Sequence, residues 1–495
     1  MNRRVAATVI LASWGAALGW LALREGSRAS GGSESSWPIP PGSAFQAIQL
    51  GIRQVGVATL TVDTIPEGLR VVELTTVDLP AIVSGAARRT THRLESLYSR
   101  RLTLLSWQSD LLSEQGRERS GGTVSGDTIA TAIQSAAGMP PETLHVRLPG
   151  PVILPGAVTL AAAAQGIPRR GMLYEFLLLD PIELVVRSVR YTAAQESVFT
   201  VVDSADFNPT IRRWAAAHAD TIRAWRLEGV ESGLPVSRWT DAAGLPIRVL
   251  HPLGAVMQRS AFELVNTNFR ARPAPMWDSG AAMPSYRPGA EGARPEVYQW
   301  VGLGLAPLER LPAILPALDG GFQRRSADTL YPSVPADTTP PVMPPGGNSP
   351  LLEADSVVQA LAEWLQATPS GTRARALETR LRQTVRLREG PGVSPARTIL
   401  RRGTGTEAER SLAAVAIARA AGLPARRVWG VTWLDGAWRL RPWAEVWEVG
   451  WTPVDVGAGA RPGDRVRLGI GADARYLDLA VRAGRLRLEF GKGPS

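Results

Sequence analysis

"RRGTGTEAERSLAAVAIARAAGLPAR", residues 401–426, reads as three devices in a row. Gly403 and Gly405 make a glycine-rich turn. Thr406 and Glu409 then fit a capping box, in which the threonine hydroxyl accepts from the backbone three residues on and the glutamate reaches back. An apolar helix follows, and Gly422 ahead of Leu423-Pro424 stops it. The turn delivers Glu407 to the helix N-terminus, where the macrodipole favours an anion. Such turns often present a reactive side chain, so a carboxylate in that place needs explaining.

Working outward, residues 425–434 read as a strand, Asp435-Gly436 as a hairpin turn, and residues 437–449 and 450–456 as further strands. "RYLDLAVRAGRLRLEF" closes the chain in β-rich sequence. Upstream the period is helical. "LLEADSVVQALAEWLQ" sets Val357, Val358, Leu361, Trp364 and Leu365 on one face, and "TRARALETRLRQTVRL" places Leu377, Leu381 and Val385 four apart. The arginines around the second stripe read as the solvated face of an amphipathic helix.

The order helix, "AGLPAR", strand, "WAEVW", "GWTPVD" resembles the bacterial transglutaminase-like domain over roughly residues 350–490. The resemblance implies a papain-like α+β fold and a Cys-His-Asp triad. It places the thiol in a Gly-x-Cys turn, matched here by Gly405-Thr406-Glu407. It places the imidazole in His-x-Trp-x-Glu-Val, matched by Arg441-Pro442-Trp443-Ala444-Glu445-Val446, so arginine stands at the histidine position. The aspartate is matched by Asp455 in "GWTPVD". Trp443, Glu445 and Gly405 are the supporting positions. Thiol chemistry needs a thiolate and an imidazole, and Glu407 and Arg441 supply neither. No catalytic residue is therefore expected. We expect instead that Glu407, Arg441 and Asp455 converge as an acid–arginine–acid network. The rival reading is an acyl-transfer enzyme or hydrolase with a non-thiol nucleophile, Ser411, one turn beyond Glu407.

Composition narrows the rest. The chain has 495 residues, a net charge of +10 and 44% hydrophobic residues, enough for a sizeable core. It contains no cysteine, which excludes disulfides and thiol chemistry. Its four histidines, His92, His145, His218 and His251, are scattered, and no calcium-binding spacing appears, so no metal site and no cofactor are expected. Nearly all the positive charge is arginine, spread among acids rather than clustered in a basic module, so nucleic acid is not an expected partner.

Arg3-Arg4 precede the uncharged apolar run Val5–Leu23. Its length nearly spans a bilayer core, which takes about 20 residues, and the arginines should stay cytoplasmic. Residues 1–24 are therefore read as a signal anchor, a transmembrane helix holding the bulk of the chain in the periplasm. The alternative is a secreted protein cleaved near Ser27-Arg28-Ala29. Residues 25–44 form a tether. Residues 45–332 are β-rich, with short alternating runs such as 55–65, 69–79, 100–107, 174–180, 183–192, 196–203 and 222–230, and a hairpin turning at Asp241–Gly244. They predict an antiparallel meander, a curved sheet or half-barrel, with an apolar-ligand or lipid-binding half-barrel as a further reading. Residues 333–350 are a Pro/Gly-rich linker, and residues 351–495 are the transglutaminase-like domain. Together these imply an α+β envelope protein whose degenerate domain binds or scaffolds an unidentified envelope protein or peptide.

Overall fold

The computed structural model describes residues 39–50, 53–80, 87–113, 116–126, 128–134, 142–231, 234–250, 255–271, 285–286, 300–305, 323–326, 329–332, 349–388, 394–434, 437–457, 465–471 and 486–491. The chain divides into two units, Met1–Ile39 and Pro40–Ser495. The Val5–Leu23 run and most of the 333–350 stretch lie outside the described residues. Among the described residues, no helix is long and apolar enough to cross a membrane.

Fifteen strands among the described residues form one sheet. Strands β1 (Gly42–Leu50), β2 (Arg53–Ile65), β3 (Gly68–Pro80), β4 (Ala87–Ser99), β5 (Leu104–Ser113), β6 (Gly116–Ser125), β7 (Thr128–Gln134) and β8 (Glu142–Arg147) each pair antiparallel with the next. A second run comprises β9 (Val152–Ile153), β10 (Leu173–Asp180), β11 (Val185–Asn208), β12 (Arg213–Glu231), β13 (Leu234–Thr240), β14 (Pro246–Leu250) and β15 (Ala255–Arg259). It joins the first where β15 pairs with β1, with Ile48 opposite Met257. The alternating burial of β1 follows from its alternating sequence, as a half-buried strand requires. Helix α1 (Val158–Ala164) is apolar and small along its length, and six of its seven residues are buried.

Several expected strands shift. The strand expected at 100–107 begins only at Leu104, because Leu102, at φ 56°, sits in a turn closed by a Leu102-to-Ser99 backbone bond of 2.9 Å. The runs at 183–192 and 196–203 are one strand, β11, which keeps pairing with β12 across register shifts such as that between Ala193 and Gln195. The hairpin at Asp241–Gly244 is present, with the Asp241 carboxylate accepting from the backbone of Ala243 (3.0 Å) and Leu245 (2.9 Å).

Residues 349–457 supply most of the helices. Helices α2 (Ser356–Ala367), α3 (Arg373–Thr384) and α4 (Ala396–Arg402) gather around α5 (Glu407–Ala420). Ten consecutive residues of α5, Glu409 to Ala418, are buried, three polar ones in the first turns and then seven apolar ones, as suits a central helix packed on every side. Asp355 caps α2 through Val357 and Val358, and Gly403, at φ 64°, closes α4 in the left-handed conformation. Short strands β16 (Ser285–Tyr286), β17 (Trp300–Leu305), β18 (Gln323–Ser326), β19 (Thr329–Pro332), β20 (Arg386–Leu387) and β21 (Thr404–Gly405) precede β22 (Ala425–Leu434), β23 (Ala437–Trp447), β24 (Trp451–Val454) and β25 (Arg465–Ile470). The last four form an antiparallel sheet ordered β24-β23-β22-β25, on which helix α5 packs. Strand Leu486–Gly491 pairs antiparallel with Trp300–Leu305, Trp300 facing Gly491. This separate sheet runs across residue 350, where composition places a boundary. The fold is α+β, a β-rich N-terminal region followed by a helix-bearing, transglutaminase-like C-terminal region.

Candidate functional site

The site is built at the start of α5. Thr406, in extended conformation (φ −71°, ψ 170°), is its N-cap. Its hydroxyl accepts from Glu409 N at 3.2 Å, and the Glu409 carboxylate accepts from Thr406 N at 3.0 Å. Glu409 is buried, and Arg388 and Arg402 donate to the same carboxylate oxygen at 2.7 and 3.0 Å. Gly405 precedes the cap in a crowded place: a Cβ there would meet Ile399 Cγ2 at 3.1 Å. The turn is thus held from both sides, and the next residue, Glu407, is aimed at β23.

There it meets Arg441. Arg441 Nε donates to Glu407 Oε2 at 2.7 Å, and Nη2 donates to Oε1, a forked pair of the geometry guanidinium and carboxylate prefer. The Arg441 side chain is 8% exposed and that of Glu407 28%. Gly457 makes room for the pair: a Cβ there would fall 1.7 Å from Arg441 Nη2 and 3.1 Å from Glu407 Oε1.

Asp455 lies nearby but has a partner of its own. Arg465 Nη2 donates to its Oδ2 at 2.6 Å and Gly457 N to its Oδ1 at 2.8 Å. Burial works against its ionisation, yet Arg465, the Gly457 amide and the Arg441 charge together hold its carboxyl below the ordinary range. The expected acid–arginine–acid chain is therefore two ion pairs side by side. A third acid, Glu378 of α3, accepts from Asp455 N at 3.2 Å; burial raises its pKa, and the Asp455 charge adds to this.

The supporting positions are structural. Trp443 is 1% exposed, and its ring lies against Gly430, where a Cβ would come within 2.4 Å of it. Glu445 is fully buried between Arg426 (Nε to Oε2, 2.8 Å) and Arg467 (Nη1 to Oε2, 3.1 Å). Burial opposes its charge, but the two guanidiniums outweigh burial and lower its pKa. Arg426 also covers the Trp451 ring at 3.8 Å from the centroid. Ser411 is 0% exposed, and its hydroxyl donates to Ala408 O at 2.8 Å. Among the described residues no group of three or more acids and histidines is placed to hold a metal ion.

The sequence reading missed Arg465, Arg467 and Gly457. Arginines alternating on a strand were the available signal for the first two; nothing marked Gly457 except its place just after the aspartate.

Residues 359–456 match the transglutaminase-like superfamily, so a domain of that class is present at the C-terminal end. A solved structure from Cytophaga hutchinsonii, provisionally named a cysteine protease, is similar at 18% identity and TM-score 0.22, over 29% of this chain and 50% of that one. The chain thus spans about half the length of that protein. A β-barrel-like protein of unknown function from Brucella abortus is similar at 11% identity and TM-score 0.30, over 45% of this chain and 96% of that one. No curated protein matches the chain.

Proposed function

We propose that the chain is a membrane-anchored envelope protein whose transglutaminase-like domain acts as a binding or scaffold module and carries out no thiol chemistry. The observation that carries this reading is the Arg441–Glu407 pair, which occupies the positions the resemblance gives to imidazole and thiol. A guanidinium stays protonated at any physiological pH and cannot act as general base. A carboxylate held by a guanidinium through both oxygens is a poor acyl-transfer nucleophile beside the thiolate that the family's chemistry needs. The buried Ser411 hydroxyl, already donating to the backbone, gives no support to the non-thiol alternative. Membrane anchoring rests on Arg3-Arg4 and the Val5–Leu23 run.

The full chain is tested for turnover of peptide amides and acyl esters beside its Asp455→Ala and Ser411→Ala variants. No turnover is expected. Turnover abolished by either substitution sinks the reading. Protease added to intact spheroplasts should degrade the bulk of the chain; a protected body overturns the assigned topology.

A further inference from the structure

Arg410 follows the capping box by one residue. It is 4% exposed, and the one hydrogen bond its side chain makes among the described residues is a long one, Nη2 to the Leu381 carbonyl at 3.4 Å. Its Nε is shut off from solvent, and among the described residues no acceptor lies within reach. Each neighbouring acid is committed elsewhere: Glu407 to Arg441, Asp455 to Arg465. Glu378 accepts from the Asp455 backbone and faces Arg382 at 3.6 Å. Burial and then the Arg382 charge act on Arg410 in the unfavourable sense and lower its pKa, while the Glu407 and Asp455 charges only partly oppose them. A guanidinium withdrawn from water, whose only counter-charges are carboxylates already bound to other arginines, is unusual in a folded protein. Here it sits beside a second cation whose side chain is 46% exposed.

We propose that Arg410, with Arg382 at the rim, is the receptor for a small oxyanion, a carboxylate or a phosphate, bound between α3 and the first turns of α5. The proposal rests on the binding-module reading and gives that module its ligand class. The oxyanion gives the guanidinium the charged acceptor that its one long bond to the Leu381 carbonyl does not supply. It also offsets the positive charge left over once Glu407 and Asp455 are paired. Because the guanidinium is already held by packing and by the Leu381 carbonyl, little side-chain freedom is lost on binding.

The test is calorimetric titration of the full chain in detergent with sodium acetate and, separately, sodium phosphate, at pH 7 and constant ionic strength. Saturable binding of one oxyanion per chain is expected. Preference for acetate identifies a carboxylate ligand, and preference for phosphate a phosphate ester. Arg410→Met should abolish the saturable heat, and Arg410→Lys should retain a weakened form of it. Should Arg410→Met fail to fold, Arg382→Gln, at a half-exposed position, carries the test with an expected severalfold loss of affinity. No saturable binding of either anion by the wild type overturns the proposal, as does binding unchanged in both Arg410→Met and Arg382→Gln. Failure here leaves the absence of turnover untouched, and turnover on peptides would sink the binding-module reading whatever the titration gives.

Discussion

Glu407→Ala and Arg441→Met remove opposite halves of one ion pair, and they should not cost the same. The pair is close and forked, Nε to Oε2 at 2.7 Å; opposite charges about 4 Å apart near a protein surface attract by about 4 kcal/mol. What survives each deletion differs. Glu407→Ala leaves an 8% exposed guanidinium without its partner, and removing one partner of a buried pair costs about 3–5 kcal/mol. Arg441→Met leaves a carboxylate that is 28% exposed and can be rehydrated, so its loss should be nearer the exposed-pair range, about 1 kcal/mol. The double replacement Glu407→Leu with Arg441→Met leaves no orphan charge and should lie close to wild type. Urea unfolding of the full chain at pH 7, followed by the midpoint at unchanged slope, reads all three. Two equal, small and additive losses would refute the argument, since they would mean that neither group is desolvated.

Gly457→Ala should displace the same pair, because its Cβ would fall 1.7 Å from Arg441 Nη2; the expected loss of about 1–3 kcal/mol is read in the same unfolding assay. Glu445→Ala strands Arg426 and the fully buried Arg467, and should cost about 3–5 kcal/mol or prevent soluble expression. Glu445 and Asp455 are held below their ordinary pKa values, so their stabilisation is complete above about pH 4.3, the ordinary glutamate value, and is lost as pH falls through their folded values. Glu73 of β3 behaves oppositely: burial pushes its carboxyl up to about 7, against the opposing charge of Arg238. The unfolded chain releases that proton earlier, so stability should decline by about 3 kcal/mol between pH 4.5 and 7. Glu73→Gln should flatten that limb of the urea-midpoint profile, and a profile unchanged by the substitution would exclude the assignment.

The turn, capping box and stop around α5 were legible because each depends on a few adjacent residues whose chemistry has one local use. The strands flanking "AGLPAR" were legible for the same reason. Strand β4, "ARRTTHRLESLYS", was not: it is too charged to read as a half-buried strand, and its charges are answered across the sheet, Arg89 by Asp78 at 2.8 Å and Glu95 by Arg70 at 2.7 Å. Strand β6 carries three glycines, which argue against a strand until the Trp107 ring is found lying on Gly122, where a Cβ would sit 2.2 Å from it. Helix α4, seven residues long, is too short to show a period. At the site, the pairing of Glu407 with Arg441 followed from the matched positions. The capture of Asp455 by Arg465 did not, because their proximity depends on how β25 sits against β22.

The strand Leu486–Gly491 has a bearing on how the molecule is made. It lies against Trp300–Leu305, so an upstream segment stays unfinished until almost the entire transglutaminase-like domain has been synthesised. Closing so long a loop adds modestly to the entropy cost, yet contacts this distant in sequence slow folding. In the interval the unpaired edge at residues 300–305 is open to other chains. A nonsense codon just before Leu486 would therefore leave its first lesion at residues 300–305, far from the break, and its product should be lost to aggregation or proteolysis while the Arg441–Glu407 pair is still encoded intact.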